Sequence, residues 1–283
     1  MAKIAVEQKE ICAPPQARLL AEGQGWAVSD VVCTSGPRDR PFEERHSGVS
    51  IAIVVAGTFQ YRSSAGCELM TPGSLLLGNT GQCFSCGHEH GTGDRCVSFS
   101  YSPEIFERLA ADAGTTTMSF KLLRIPPIRD LAPLVARASA ALAGGNPLKC
   151  EELSIKVAAK AVQLERGVSP RQIAAEASSL ARVTQAVRAM EKHPDHRHDL
   201  ASLAQGANLS PYHFLRTFEA LTGTTPHQYL LRIRLRRAAI RLRTEAIRIL
   251  DVALDCGFGD VSNFNHAFRA EFGVSPRVYR TYQ

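Results

Sequence analysis

Three thiols and two imidazoles fall within 14 residues of this chain: Cys83, Cys86, His88, His90 and Cys96. Thiolate and imidazole are the donors that zinc and other borderline or soft transition-metal ions favour. The spacing of Cys83 and Cys86 suits a turn that converges two sulfurs. An extended strand would instead send Cys86, His88, His90 and Cys96 to one face, with Gly87, Gly91 and Gly93 relaxing the geometry. Three chemistries stay open. The cluster could hold one zinc or other transition-metal ion, or act as a thiol switch in which a histidine or Arg95 lowers a thiolate pKa. It could also be a polar wall whose cysteines serve as small apolar side chains. Glu89 and Asp94 either orient the imidazoles or are solvated. The tract His193–His198 reads as a solvated loop.

Residues 1 to about 125 carry a mostly β pattern. Val49–Ser63 is rich in β-branched and aromatic residues, with Ala56 and Gly57 as a bend. Pro72 and Gly73 mark a turn before an apolar strand that ends at Asn79, and Arg95–Tyr101 alternates as another strand. Short strands with frequent Gly and Pro turns suggest a small barrel or sandwich. Helical patterns follow at Pro103–Leu109, Ile128–Ala143 and Lys149–Arg166. The segment Gly167–Gln172 reads as the start of a linker, and Ile173–Lys192 as a connecting helix.

Further on, one pattern occurs twice. Phe214, Phe218, Gly223, Pro226 and Tyr229 recur as Phe264, Phe268, Gly273, Pro276 and Tyr279, each 50 residues later. Upstream of the turn the offset is 49, since Ala204 matches Ala253, so the second copy carries one extra residue. Asp199 caps a short helix bearing Leu200, Leu203 and Ala204. Residues 206–209 turn, and Ser210 caps a second helix opened by Pro211. Phe214, Phe218 and Leu221 form its apolar stripe, and Gly223 closes it in the left-handed conformation. Tyr212, Arg216 and Glu219 lie opposite the stripe, with Leu215 beside them. In the second copy Asp260 is the cap, and Ser262, His266 and Arg269 face outward, with Asn265 beside them and Val261 at the helix start. A short helix, a tight turn and a helix with one exposed face predict a helix-turn-helix, an arrangement that fits a DNA major groove. Residues 227–247 read as an arginine-rich helix that sets the spacing of the two units.

Residues 180–283 resemble the AraC/XylS family of bacterial transcriptional regulators. The strongest element is Ile249–Arg280, with its Ala, Gly-Phe, two further phenylalanines, Phe-Gly, Pro and Tyr-Arg. The resemblance implies seven helices in two helix-turn-helix units, and base-reading positions at Tyr212, Leu215, Arg216, Val261, Ser262, Asn265 and His266. Arg269 joins them from its place on the outward face. It also implies a cupin-like, effector-binding β-barrel at the N-terminus, with His46 a further candidate ligand before the Val49 strand. Double-stranded promoter half-sites, RNA polymerase, an unknown small effector or metal ion and a second copy of the chain are the partners implied, the last through the helices at 128–166. An α+β fold is therefore expected, with an effector and dimerisation domain at 1–170, a linker at 171–183 and a DNA-binding domain at 184–283.

Residues 184–283 hold 14 Lys+Arg against 9 Asp+Glu, so most of the chain's net charge of +6 lies there. That excess supplies sequence-independent attraction to phosphate. No apolar run is long enough to span a membrane, and no export signal opens the chain, so a cytoplasmic protein is expected. Seven of the eight cysteines precede residue 151, and clustering of this kind in the cytoplasm argues against structural disulfides. The expected function is a non-enzymatic DNA-binding regulator, with activation the expected sense. A metal-dependent cupin-type enzyme, a cysteine that accepts alkyl groups from DNA, and an architectural DNA-binding protein are the alternatives.

Overall fold

The computed structural model describes residues 14–41, 43–115, 119–142, 147–167 and 177–281. In chain order its strands are β1 (Gln16–Gly23), β2 (Trp26–Cys33), β3 (Glu43–Arg45), β4 (Val49–Gly57), β5 (Phe59–Ser63), β6 (Gly66–Met70), β7 (Leu75–Gly78), β8 (Cys83–Gly87), β9 (Asp94–Tyr101) and β10 (Arg124–Ile125). They form two antiparallel sheets, one in the order β1-β2-β9-β4-β7-β10 and one in the order β3-β8-β5-β6. Helices α1 (Pro103–Asp112), α2 (Ala132–Ala141) and α3 (Pro147–Gly167) cover the outer face of the larger sheet.

Burial on both faces explains the unbroken apolar run in β4. Ile51 and Ile53 pack with Phe106, Leu134 and Val157 from the helices, whereas Ala52 and Val54 pack with Tyr61 and Met70 of the smaller sheet. A strand covered on one side only would alternate with polar residues. The expected bend at Ala56–Gly57 is a bulge, where the pairing of β4 with β9 slips between Val54 and Ala56. The sequence pattern does not reveal β1, because most of its side chains are exposed and leave no apolar alternation.

The C-terminal part is all-helical: α4 (Ala177–Lys192), α5 (Leu200–Gly206), α6 (Pro211–Thr222), α7 (Pro226–Thr244), α8 (Ile249–Asp255), α9 (Val261–Phe272) and α10 (Pro276–Thr281). These are the seven helices that the resemblance implies. The linker expected at 171–183 needs correction. Residues 177–183 are the first turns of α4, and Leu180 and Val183 pack with Phe214 and Phe218, so they belong to the helical domain. The start of that linker, at 168–176, and the first 13 residues lie outside the described residues.

Contacts between the two parts are specific. Leu69 of β6 enters the apolar cluster of α4, α5 and α6. Ala132 and Ala136 of α2 enter that of α7, α8 and α9. Thus α2 packs on the larger sheet and α3 with one face and on the helical domain with the other.

His46 lies at the Cys83 end of β8 and is not among the donors that converge in this structure. Its Nε2 is 2.8 Å from the Tyr61 hydroxyl, and its ring stacks on Phe84 at 4.1 Å. Burial pulls its pKa down from 6.5 to about 4. The folded state therefore holds this ring neutral where the unfolded chain would protonate it, and its contribution is present above pH 6.5 and lost as pH falls towards 4. We expect His46→Gln to flatten the fall in unfolding free energy across that window by at most about 3 kcal/mol. Chemical denaturation at a series of pH values checks this, and an identical slope in the variant would remove His46 as its source.

Candidate functional sites

The two helix-turn-helix units are built by the same local devices. Asp199 accepts the amide of Ser202 at 2.8 Å and starts α5. Ser210 caps α6 through the amide of His213, and Asp260 caps α9 through that of Asn263 at 2.7 Å. Gly223 and Gly273 end these helices with φ of 77° and 78°, which a residue with a Cβ resists. The turns also match. Asn208 (φ 51°) and Gly257 (φ 87°) occupy equivalent left-handed positions, and Leu209 and Phe258 donate to the carbonyls of Ala204 and Ala253. The extra residue of the second copy is therefore Gly259, just before the cap. Phe214, Phe218, Phe264 and Phe268 are fully buried. Truncating any one to alanine would cost roughly 3–5 kcal/mol.

On the opposite faces the structure presents the residues expected to read bases. Tyr212 is 69% exposed, and Arg216 lies 5.8 Å over its ring. Ser262, Asn265, His266 and Arg269 are exposed, while Leu215 and Val261 are half-buried at the edges of the two faces. The arginines of α7 behave differently from the uniform basic stripe that composition suggests. Arg232 donates to the Pro127 carbonyl at 2.7 Å, Arg234 to the carbonyls of Pro194 and His196, Arg236 pairs with Glu191, and Arg241 pairs with Glu245 and Asp255. Only Arg237 and Arg243 of this helix are exposed among its described arginines. Arg234 also lies against Gly257, where a Cβ would come within 2.9 Å of its Nε. One side chain thus ties the turn before α5 to the turn of the second unit.

The cysteine–histidine cluster is assembled differently from the spacing argument. The strand β8 stops at Gly87, and His88–Gly91 forms a turn closed by the Gly91 amide on the His88 carbonyl. Cys86 therefore faces the space between the sheets with Phe84, and alternation sends Cys83 to the other face. His90 does not continue the line of Cys86 and His88, because no strand carries it there. Cys96 is buried between the sheets. The donors that converge are Cys33, His88 and Asp94, whose ligand atoms all lie within 4.8 Å of one another. Cys33 and Asp94 are directly opposed in the β2–β9 register, so they share a face. Sequence reasoning missed Cys33, which lies 50 residues before Cys83; the cross-strand pairing with Asp94 that selects it exists only once β2 and β9 are aligned.

The electrostatics of this trio are concerted. His88 Nε2 lies 2.5 Å from Asp94 Oδ1, and Cys33 Sγ lies 3.0 Å from Ser35 Oγ. Burial opposes a charged ring at His88, yet Asp94 and Cys33 raise its pKa to about 9. Burial likewise opposes ionisation of Cys33, but His88 and Ser35 outweigh it and draw the thiol below its usual value. Burial and Asp94 push Cys86 and Cys96 well above the ordinary thiol range. Arg95 is turned to a carboxylate, its Nε and Nη2 each donating to Asp30 at 2.8 Å. Glu89 pairs with Arg62 rather than with an imidazole, whereas Asp94 does hold His88.

The loop bearing His88 touches the helical domain. Arg188 of α4 donates to Thr58 Oγ1 and to the carbonyls of Thr58, Thr92 and Gly93 at 3.0–3.3 Å. A Cβ on Gly91 would fall 2.0 Å from the Arg188 guanidinium, so only glycine admits this contact. On the far side of the interface, Arg124 donates to the Thr222 carbonyl at the end of α6, and Arg129 lies 3.6 Å from Glu271 of α9.

A family model described as a helix-turn-helix domain matches residues 203–282. The transcriptional regulator MtrA of Neisseria gonorrhoeae is 32% identical over 87 residues, 31% of this chain and 29% of the relative. The transcriptional activator RhaS of Citrobacter koseri is 38% identical over 104 residues, 37% of each protein. The match spans about a third of the length of these curated relatives. Among solved structures, an AraC-type regulator from Chromobacterium violaceum shares 30% identity at a TM-score of 0.35, over 37% of this chain and 94% of that one. Residues 203–282 are a helix-turn-helix domain, similar to the ones in these transcriptional regulators.

Removing the Arg188 side chain should lower unfolding free energy by about 1 kcal/mol, because half-buried carbonyls lose their donor. Arg188→Ala is also expected to speed amide exchange in residues 88–93 while leaving α8 unchanged. Equal protection of that loop in the variant and the parent would show that the contact does not tie the domains.

Proposed function

We propose that this chain is a sequence-specific DNA-binding transcriptional regulator whose N-terminal domain receives an intracellular signal. The observation that carries this reading is the doubled helix-turn-helix with both outward faces open: Tyr212 and Arg216 on one unit, Ser262, Asn265, His266 and Arg269 on the other. Arg216 suits bidentate readout of guanine or a phosphate contact, Asn265 suits adenine, and Leu215 suits a thymine methyl. The similarity to RhaS, an activator by its name, supports the activating sense, and an activator would also contact RNA polymerase.

Signal transfer has a physical route. Segment 124–129 of the N-terminal domain touches the C-terminal end of α6 through Arg124 and that of α9 through Arg129. Any signal that moves this segment alters the placement of one recognition helix relative to the other, and so the population able to meet two successive groove segments. A homodimer on two half-sites fits the same scheme, with α3, where Leu148 and Ile155 are exposed, as its contact surface.

The test is selection of a preferred duplex from a random pool, followed by binding to that duplex and to scrambled DNA at one salt concentration. Arg216→Ala should weaken the selected complex by about 1–3 kcal/mol and leave scrambled DNA nearly unaffected. Equal losses on both would reduce Arg216 to a phosphate contact. Failure of the parent protein to enrich any sequence would overturn the proposal.

A further inference from the structure

We propose that Cys33, His88 and Asp94 form a binding site for a thiophilic divalent cation of the zinc class, set beside the contact between the two domains. The argument begins with donor type. A thiol, an imidazole and a carboxylate together suit zinc and its neighbours, and suit neither calcium nor magnesium, which take oxygen donors. Convergence comes next. Cys33 ends β2, Asp94 begins β9, and His88 follows β8 in the opposite sheet, yet their donor atoms lie within 4.8 Å. The site is walled off from bulk water, since the side chains of His88 and Asp94 are 1% and 7% exposed. A thiol, an imidazole and a carboxylate whose ligand atoms all lie within 4.8 Å of one another, with the imidazole and carboxylate enclosed, present their donors to one common point where a cation can sit.

A fourth position is available. Cys86 lines the same cavity of about 20 Å3 as Cys33 and His88, and that space also accommodates a single water as ligand. Behind Asp94, Cys96 Sγ lies 3.5 Å from its Oδ2 and orients the carboxylate. A second and independent observation concerns the other edge of the imidazole. His88 Nδ1 is buried and without a hydrogen-bond partner among the described residues, as are His90 Nε2 and Thr184 Oγ1. All three residues line one cavity of about 10 Å3 between the sheets and α4. Buried polar atoms of this kind are rare unless something bridges them. A ligating histidine engages a partner through its second ring nitrogen, and here that nitrogen faces the helical domain. His88 therefore spans two settings, the cation on one edge and α4 on the other. Arg188 grips the Thr92 and Gly93 carbonyls on the same loop.

The ligand set differs from the contiguous run Cys83–Cys96. It keeps His88, recruits Cys33 and Asp94, and leaves Cys83 and His90 outside the coordination sphere. What the ion would control rests on the reading of the chain as a DNA-binding regulator, but the site itself is tested without DNA.

The full-length protein, stripped with a chelator under reducing conditions, is titrated with cobalt(II) and zinc(II). The expected result is one ion per chain and a thiolate-to-cobalt charge-transfer absorption that zinc abolishes. Cys33→Ser and Asp94→Asn should each weaken binding by about 100-fold or more, and Cys83→Ser should leave it unchanged. Because a core variant can fail to fold, the parent protein supplies a second readout. Zinc should protect Cys33 from alkylation, mapped by mass spectrometry, while Cys83 and the exposed Cys67 label equally with and without it. Absence of stoichiometric cobalt binding, or Cys33 labelling that zinc does not slow, would overturn the proposal. Loss of binding in Cys83→Ser would do so as well, by returning the site to the contiguous run. The selection experiment on DNA can fail without touching any of these outcomes, and the reverse also holds.

Discussion

The register of β9 is the constraint on which the first domain depends. This strand pairs with β2 on one side and β4 on the other, and its side chains alternate between two buried layers. Val97, Phe99 and Tyr101 point to the helices, where the Tyr101 hydroxyl reaches the Ser154 carbonyl of α3 at 2.8 Å. Cys96 points to the smaller sheet. A slip of one residue would exchange the layers, bury Arg95 between the sheets and carry Asp94 away from Cys33. The ordered core and the convergent donors are thus two consequences of one pairing. The loop that delivers His88 obeys a related constraint, since it must pass between β9 and α4 with no side chain at Gly91.

Electrostatics divide the arginines into two populations. Those on α7 mostly satisfy internal carbonyls and carboxylates, and several of them sit at seams. Arg234 joins the two helix-turn-helix units, Arg232 joins the helical domain to the Pro127 carbonyl, and Arg232 and Arg129 share the buried Glu271. A planar guanidinium with five donors can meet carbonyls from different segments at once, which lysine cannot. Arg216 and Arg269 stay outward on the recognition helices, as Arg237 and Arg243 do on α7. The positive excess of this region is consequently a poor measure of its attraction for phosphate, because much of it is neutralised or turned inward.

The two recognition helices also end in different company. Thr222 at the end of α6 accepts Arg124, and Pro126 sits against Gly223, whereas Glu271 near the end of α9 accepts Arg129. A cation at a helix C-terminus is favourable because it meets unsatisfied carbonyls and the negative end of the dipole. The same short segment therefore anchors both units to the first domain, and a displacement of a few residues suffices to change their relation.

What the sequence determined by itself is local and repeated. The caps Ser210 and Asp260, the left-handed Gly223 and Gly273, and the buried phenylalanine stripes all depend on residues within one or two helical turns, so spacing alone exposes them. The 50-residue recurrence then makes the pair of units legible, down to the extra residue that proves to be Gly259. The unbroken apolar run of β4 likewise announces a strand buried on both faces. Tertiary structure alone decided which donors meet. Cys33 joins His88 and Asp94 through pairing between strands 61 residues apart in the chain, and no local period encodes that register. His90 falls away from Cys86 because β8 ends at Gly87, a boundary set by the turn that must reach Arg188. The partners of the α7 arginines are carbonyls of distant segments, and a backbone carbonyl leaves no mark on the sequence.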